Sequence, residues 1–330
     1  MLSWLDLTTT DPAFNLAAEQ FVFDELPRDR MYFMLWQNHN AIIIGKHQNT
    51  HAEINEAFVR ERDIRVVRRL SGGGAVYHDL GNLNFTFIAD AGDMDRLNMR
   101  LFCEPVVRAL AAIGITAQIN GRNDMTIAGK KFSGNSQYVK NGRVMHHGTI
   151  LFDSDLEVVG QALQVDPEKI RAKGIQSVRS RVTNVSEHLP SPIPLAQFRK
   201  HLLEQILAET PGEEYVFSPE EIAKIEALRA ARYDTWEWNY GASHACTLRK
   251  KARFEGCGTV ELLLTLDRGT VTDVRIYGDF FSLNDPEALA RLLVGCRHST
   301  DDYGKALSGI RVDDYISGLE NHRFLELLEQ

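Results

Sequence analysis

The amino-acid sequence predicts an α+β protein in two units, a large mixed sheet with flanking helices followed by a smaller α+β unit. Three observations carry that expectation. Short apolar runs of strand length are interspersed with helical patterns through the first two thirds of the chain. Near residue 240 an aromatic, glycine-bearing stretch, TWEWNYGASH, interrupts the pattern, and beyond it a strand meander gives way to short helices. The 330 residues, 44% of them hydrophobic, suffice for one large core and one smaller one.

Taken in order, Asp11 and Pro12 form an N-cap and first helical residue, and Phe14, Ala17, Ala18, Phe21, Val22 and Leu26 then recur at helical spacing. Strands are expected over 31–36, 41–44, 64–68 and 82–88, then a helix from about 98 to 113 closed by Gly114. Apolar runs at 125–127 and 145–152 read as further strands. Residues 172–185, AKGIQSVRSRVTNV, lack apolar periodicity and form a long loop of the kind that carries binding residues. Helical patterns return over 195–207 and from the cap Ser218 to 231. A boundary near 241–245 divides the chain into units 1–242 and 246–330. In the second unit, runs at 252–255, 259–266 and 270–276 make a three-stranded meander with Asp267, Arg268 and Gly269 as a turn, followed by three short helices.

The formal charge of -8 argues against bulk attraction to nucleic acid or anionic lipid, so any bound anion must meet locally concentrated positive charge. Cys103, Cys246, Cys257 and Cys296 form no CxxC pair, which excludes a disulfide framework or cysteine zinc site as the organising feature and fits a reducing cytoplasm. With no basic leader followed by an apolar run, and no apolar stretch of membrane-spanning length, neither export nor membrane anchoring is expected. A monomer is the default expectation.

The densest chemical signal is Arg68, Arg69, Leu70, Ser71, Gly72, Gly73, Gly74, Ala75, Val76, Tyr77, directly after a strand. Successive glycines let backbone N–H groups converge on an anion, and two fixed positive charges and a hydroxyl stand beside them. A bare glycine triplet is also what a flexible hairpin loop contains, but the arginines tip the balance toward a carboxylate or phosphate site. Common nucleotide fingerprints fail: Tyr77 stands where a dinucleotide motif needs its third glycine, and Lys130 is followed by Lys131 rather than Ser or Thr.

A second cluster spans 121–135, GRNDMTIAGKKFSGN. A lysine at a strand end can hold a carboxylate and a phosphate together, and Lys131 is the choice for that role. Lys130 and Lys131 point to opposite faces of a strand. Asp124 is a candidate magnesium ligand, or simply a turn former. Adjacent His146 and His147 cannot chelate one metal well, so at most one faces a site. Lys173, Arg179 and Arg181 suggest a cover over a negatively charged ligand, although a solvated basic loop has the same composition.

RRLSGGGAVYHDLGNLNFTF, GRND, KKFSGN, HHGT and KGIQSVRSRVTN together resemble the lipoate-protein ligase A family, in order and approximate spacing, over nearly the whole chain. The resemblance implies a biotin/lipoate ligase-like catalytic domain and a small accessory domain. It implies ATP-dependent activation of lipoate to lipoyl-AMP and transfer to a lysine of lipoyl-domain acceptors, the E2 subunits of 2-oxoacid dehydrogenases or the glycine-cleavage H protein. In these terms Arg69, Gly74, Ala75, Val76 and Tyr77 contact ATP. Arg68, Ser71, Gly72, Gly73, His147 and Thr149 border lipoate, Lys131 contacts both, Lys173 and Arg181 belong to an adenylate-covering loop, and Mg²⁺ accompanies the nucleotide. The small domain is expected to reorient during the reaction.

Rival readings are an ATP-independent octanoyl or lipoyl transferase, a biotin ligase and a non-catalytic lipoate-binding protein. The transferase needs a thiol, and none occurs between Cys103 and Cys246. The chain has RRLSGGG where biotin ligases carry a GRGRRG-type loop. Lys131 together with both arginines argues against a binding protein without turnover.

Overall fold

The computed structural model describes residues 1–48, 50–90, 98–121, 123–163, 181–240, 248–267 and 270–329. The expected unit boundary at 241–245 and most of the expected 172–185 loop, Lys173 and Arg179 included, lie outside the described residues. The described strands are β1 (Leu2–Asp6), β2 (Met31–Trp36), β3 (Ala41–Ile44), β4 (Arg65–Arg68), β5 (Val76–His78), β6 (Asn82–Asp90), β7 (Ala117–Asn120), β8 (Asp124–Ile127), β9 (Lys130–Lys140), β10 (Arg143–Leu151), β11 (Gly212–Glu214), β12 (Leu248–Phe254), β13 (Gly258–Asp267) and β14 (Thr270–Gly278).

Eight of them form a mixed sheet in the order β11-β1-β2-β6-β10-β9-β8-β7. Two tight hairpins fix its centre. Asn141 and Gly142, both at positive φ, turn β9 back into β10, and Ala128 and Gly129, also at positive φ, turn β8 into β9. Positive φ at both central positions matches the twist of paired strands, and here it starts β9 at Lys130 and Lys131.

The sheet is buried on both faces, which is why β2 reads as the unbroken apolar run MYFMLW. One face is covered by the helix Pro12–Glu25, whose Asp11 cap accepts from the amides of Ala13 and Phe14. The other is covered by the helices Met99–Ala112 and Leu195–Glu209. The helix from Ser218 ends at Leu228 and continues as a wider turn, Arg229–Tyr233. A small sheet, β4-β3-β5, packs through Ile43 and Val67 into the same core as the Pro12–Glu25 helix, and the glycine-rich segment joins β4 to β5.

β12, β13 and β14 form a separate antiparallel sheet packed by the helices Pro286–Leu293, Thr300–Ala306 and Asn321–Glu329. Its last strand leads straight onto the glycine-rich segment. The Gly278 amide donates to the His47 carbonyl (2.6 Å), the Gly73 amide donates to the Phe280 carbonyl (3.1 Å), and the His47 ring stacks on Phe280. Gly72 has no room for a side chain, since a Cβ there would lie 2.3 Å from the Phe280 oxygen.

Candidate active site

The sheet supplies a floor. Trp36, Asn84 and Thr149 stand side by side on β2, β6 and β10, and two residues along, Met34, Thr86, His147 and Ser136 make a parallel row. Alternation along each strand puts both rows on one face. Over that floor lies a cavity of about 130 Å³, walled by Leu16, Ile43, Arg69 and the 73–76 segment, with Asn123, Lys131 and Asn135 at one side. Its apolar members suit a hydrocarbon chain, and its polar members are concentrated enough to orient one.

A buried network holds the wall. His147 Nδ1 faces the Glu19 carboxyl oxygens at 2.9 and 3.0 Å, and His147 Nε2 lies 2.6 Å from Ser71 Oγ. Thr86 Oγ1 donates to Glu19 (2.7 Å) and accepts from Trp36 Nε1 (3.0 Å). Glu19 therefore ties together two of the residues that line the cavity, Trp36 and His147. The companion His146 faces the opposite side, among Phe85, Phe102 and Gln137.

Arg69 is buried beside the cavity and donates to the carbonyls of Ile43, Gly72 and Gly74 and to Ser71 Oγ. Its burial pulls its pKa down to about 10, so it remains a cation at neutral pH. Gly73, at φ 92, lets the loop curl around that guanidinium. Arg68 lines neither this cavity nor the next. Its guanidinium donates to the carbonyls of Gly45, Lys46, Gln48, Trp238 and Asn239 and to Thr50 Oγ1, clamping a turn and the end of the first unit onto β4.

Lys131 Nζ pairs with Asp124 at 2.6 Å, both side chains about 38% exposed. Lys130 is exposed, as alternation requires. A second, largely apolar cavity of about 160 Å³ lies across β5, lined by Tyr77, Asn82, Phe132, Leu151, Leu156 and Val182 among others. Ala75, Val76, Lys131, Gly134 and Thr149 line both. Val182 bridges to Lys131 and the Thr183 amide donates to its carbonyl (2.9 Å), so the chain leaving the 172–185 region, with half-buried Arg181, is fixed beside that lysine.

Of the residues singled out in the sequence, Arg69, Gly73, Gly74, Ala75, Val76, Lys131, His147 and Thr149 are brought to the first cavity and Tyr77 to the second. Ser71 and Gly72 stand behind the wall. Sequence reasoning missed Glu19, Trp36, His78, Asn84, Asn123, Asn135 and Ser136. A signal existed for two of them: a glutamate inside the apolar stripe of the first helix, and polar Asn82, Asn84 and Thr86 alternating along an otherwise apolar strand. Among the described residues no cysteine lines either cavity; Cys103 is buried, and burial pushes its thiol up to about 12. No group of three or more His, Cys, Asp and Glu side chains among the described residues is arranged to hold a metal ion.

Solved structures give the class of fold. The chain superposes on LipL1 of P. falciparum, determined in complex with lipoate, with a TM-score of 0.80 at 24% identity over 100% of this chain and 98% of that one. It also superposes on a lipoate-protein ligase A bound with ATP, with a TM-score of 0.63 at 26% identity over 73% of this chain and 98% of that one. The fold is that of the lipoate-protein ligases.

Sequence comparison narrows the class. The lipoyl protein ligase A/B catalytic domain model matches residues 11–207, and the bacterial lipoate protein ligase C-terminus model matches 243–328. Lipoate-protein ligase 1 of Staphylococcus aureus is 41% identical over 319 residues, 97% of each chain. The chain belongs to the lipoate-protein ligase family.

Proposed function

We propose that this protein joins lipoate to ATP, forming lipoyl-AMP and releasing pyrophosphate, and then passes the lipoyl group to a lysine of an acceptor protein. The observation that carries this reading is the position of Lys131, on the seam between two cavities that share its side chain. The first cavity takes the acyl chain and the second the nucleotide, so Lys131 meets the carboxylate and the α-phosphate where they react. A carboxylate oxygen attacks phosphorus, the bond to the β-phosphate oxygen breaks, and the lysine cation offsets the charge that develops. The acceptor amine then adds to the acyl carbon, AMP leaves and the nitrogen loses its proton.

Mg²⁺, when bound, neutralises the pyrophosphate. Asp124 is a single carboxylate beside Lys131, which suits an ion held mainly by phosphates and water, and it would serve by exchanging its lysine partner for the metal. Ala75, Val76 and Tyr77 would face the nucleotide side, whereas Arg69 and Gly74, expected there from the sequence, line the acyl cavity; Arg181 would cover the adenylate together with Lys173. Acceptors are lipoyl domains of 2-oxoacid dehydrogenase E2 subunits or the glycine-cleavage H protein. The protein would work as a cytoplasmic monomer, with residues 1–242 as catalytic domain and 246–330 as accessory domain. No helix among the described residues is long and apolar enough to cross a membrane.

The test is lipoate-dependent exchange of labelled pyrophosphate into ATP, with biotin as control acid. Exchange with lipoate alone, lost in Lys131→Ala, supports the reading. No exchange with any acyl acid overturns it.

A further inference from the structure

Two buried donors at the first cavity have no acceptor among the described residues, Nε2 of His78 and Nδ2 of Asn84. Each residue is 2% exposed and each lines the cavity. The His78 ring is fixed from behind. Asn15 Nδ2 donates to the carbonyls of Thr9 (3.1 Å) and Gln37 (2.8 Å), which sets its amide, and it also donates to Asn38 Oδ1 (3.0 Å). Asn38 must then turn its Nδ2 toward His78 Nδ1, 3.1 Å away. Nδ1 is therefore the bare acceptor, and the ring carries its hydrogen on Nε2. Burial, reinforced by the Arg69 charge, holds the His78 pKa at about 3, so this neutral tautomer persists at any working pH. At Asn84 the Asn82 Nδ2 donates to Oδ1 (3.0 Å), with the Asn84 NH₂ group as the free end.

A hydrocarbon chain has no use for such donors, and an ammonium group would be repelled by them. They match oxygen lone pairs. Asn84 neighbours Trp36 and Thr149 in its sheet row, the Trp36 ring lies 6.3 Å from that of His78, and a Cβ placed on Gly134 would lie 3.0 Å from Lys131 Nζ and 4.0 Å from Thr149 Oγ1, so Trp36 links the two donors and Thr149 links Asn84 to Lys131.

We propose that His78 Nε2–H and Asn84 Nδ2–H form a two-donor subsite that receives the carboxyl oxygen of the acid substrate and, after activation, the carbonyl oxygen of the acyl adenylate. The proposal rests on the reading of this cavity as the acyl site. It makes the pair binding residues for both half-reactions, uncharged partners to the Lys131 cation.

The test uses the full chain and two unreactive ligands, a lipoyl sulfamoyl-adenosine that keeps the acyl carbonyl and a matched analogue with CH₂ in its place. Wild type should prefer the carbonyl ligand, and Asn84→Ala or His78→Phe should each cut that preference about five- to tenfold, the usual effect of one neutral hydrogen bond, with CH₂-analogue affinity held within about twofold. His78→Gln, whose amide places an N–H near the same point, should recover part of the loss. Melting of the unliganded variants checks folding, with Asn84→Ser as the milder substitute. Equal weakening of both ligands would overturn the proposal, because the side chains would then only shape the cavity. Wild type binding neither ligand would instead remove the acyl-site reading on which it rests.

Discussion

Glu19 is the buried acidic side chain behind the cavity, bonded to His147 and Thr86, and Glu19→Ala tests whether that support is built as described. The substitution removes the acceptor for two buried donors, the Thr86 hydroxyl and His147 Nδ1–H. Each donor left unsatisfied costs about 1–3 kcal/mol, or about 2–6 kcal/mol for both. Relief from burying a carboxyl group and rotation of the Thr86 hydroxyl offset part of that, so about 3 kcal/mol is expected. For a body of this size each kcal/mol lowers the melting temperature by about 2–4 °C, which puts the loss at about 6–12 °C. Glu19→Gln keeps one acceptor but turns an NH₂ group on the other donor, and should lose roughly half as much. The assay is thermal melting followed by circular dichroism, with the KM for lipoate measured alongside. Since Trp36 and His147 are the cavity residues released, that KM should rise more than the KM for ATP. A melting temperature within about 2 °C of wild type for the alanine variant would refute the network's energetic role, and so would glutamine being as damaging as alanine.

Arg68→Met leaves a set of buried carbonyls without their donor and should destabilise the protein by at least about 3 kcal/mol in urea unfolding, with Arg68→Lys recovering little because three donors on a flexible stem cannot span the guanidinium's partners. His47 and His78 are both held near pKa 3 by burial, against about 6.5 when unfolded, so below pH 6.5 the unfolded chain takes up protons that the folded one refuses. Their contribution is therefore full above about pH 6.5 and declines as pH falls toward 3, by up to about 1.4 kcal/mol per pH unit for each histidine; urea midpoints that stay flat from pH 7.5 to 5 would contradict this. Cys103 should escape iodoacetamide in the native protein, as judged by peptide mass, and Cys103→Ala should retain pyrophosphate exchange; loss of exchange would bring a thiol back into the chemistry. Gly72→Ala drives a methyl group against the Phe280 carbonyl and should lower overall ligation while leaving the melting of the 1–240 body nearly unchanged, which differential scanning calorimetry can separate.

Local chemistry made much of the fold legible. The Asp11 and Pro12 start, the Asn98 and Gly114 ends of the next long helix and the Ser218 cap with Glu221 are each decided within a few residues, and they appear where the sequence puts them. The glycine run and Lys131 were equally visible, because close approach and fixed charge leave a compositional mark. Pairing order left no such mark. β5 follows the glycine run by pairing with β3, a partner 33 to 37 positions earlier, so Val76, Tyr77 and His78 read as loop from local composition. The two arginines look interchangeable in the sequence, yet Arg68 ends β4 and Arg69 follows it with its side chain turned the other way: Arg69 turns to the cavity and Arg68 to the turn at 45–48. Glu19 and Asn84 acquire their meaning only from what the sheet sets opposite them.

The seam between the two bodies joins main-chain bonds, Gly73 N–H to the Phe280 oxygen and Gly278 N–H to the His47 oxygen, to the side chain of His47, stacked on Phe280 and 3.1 Å from Ser282 Oγ. Every residue type but proline carries both main-chain groups, so side chains away from His47, Phe280 and Ser282 can drift with the joint intact. What inheritance must guard is emptiness: the missing side chain at Gly72, where any added atom would collide. A C-terminal body attached in this way can change its outer surface without renegotiating its hold on the glycine-rich segment.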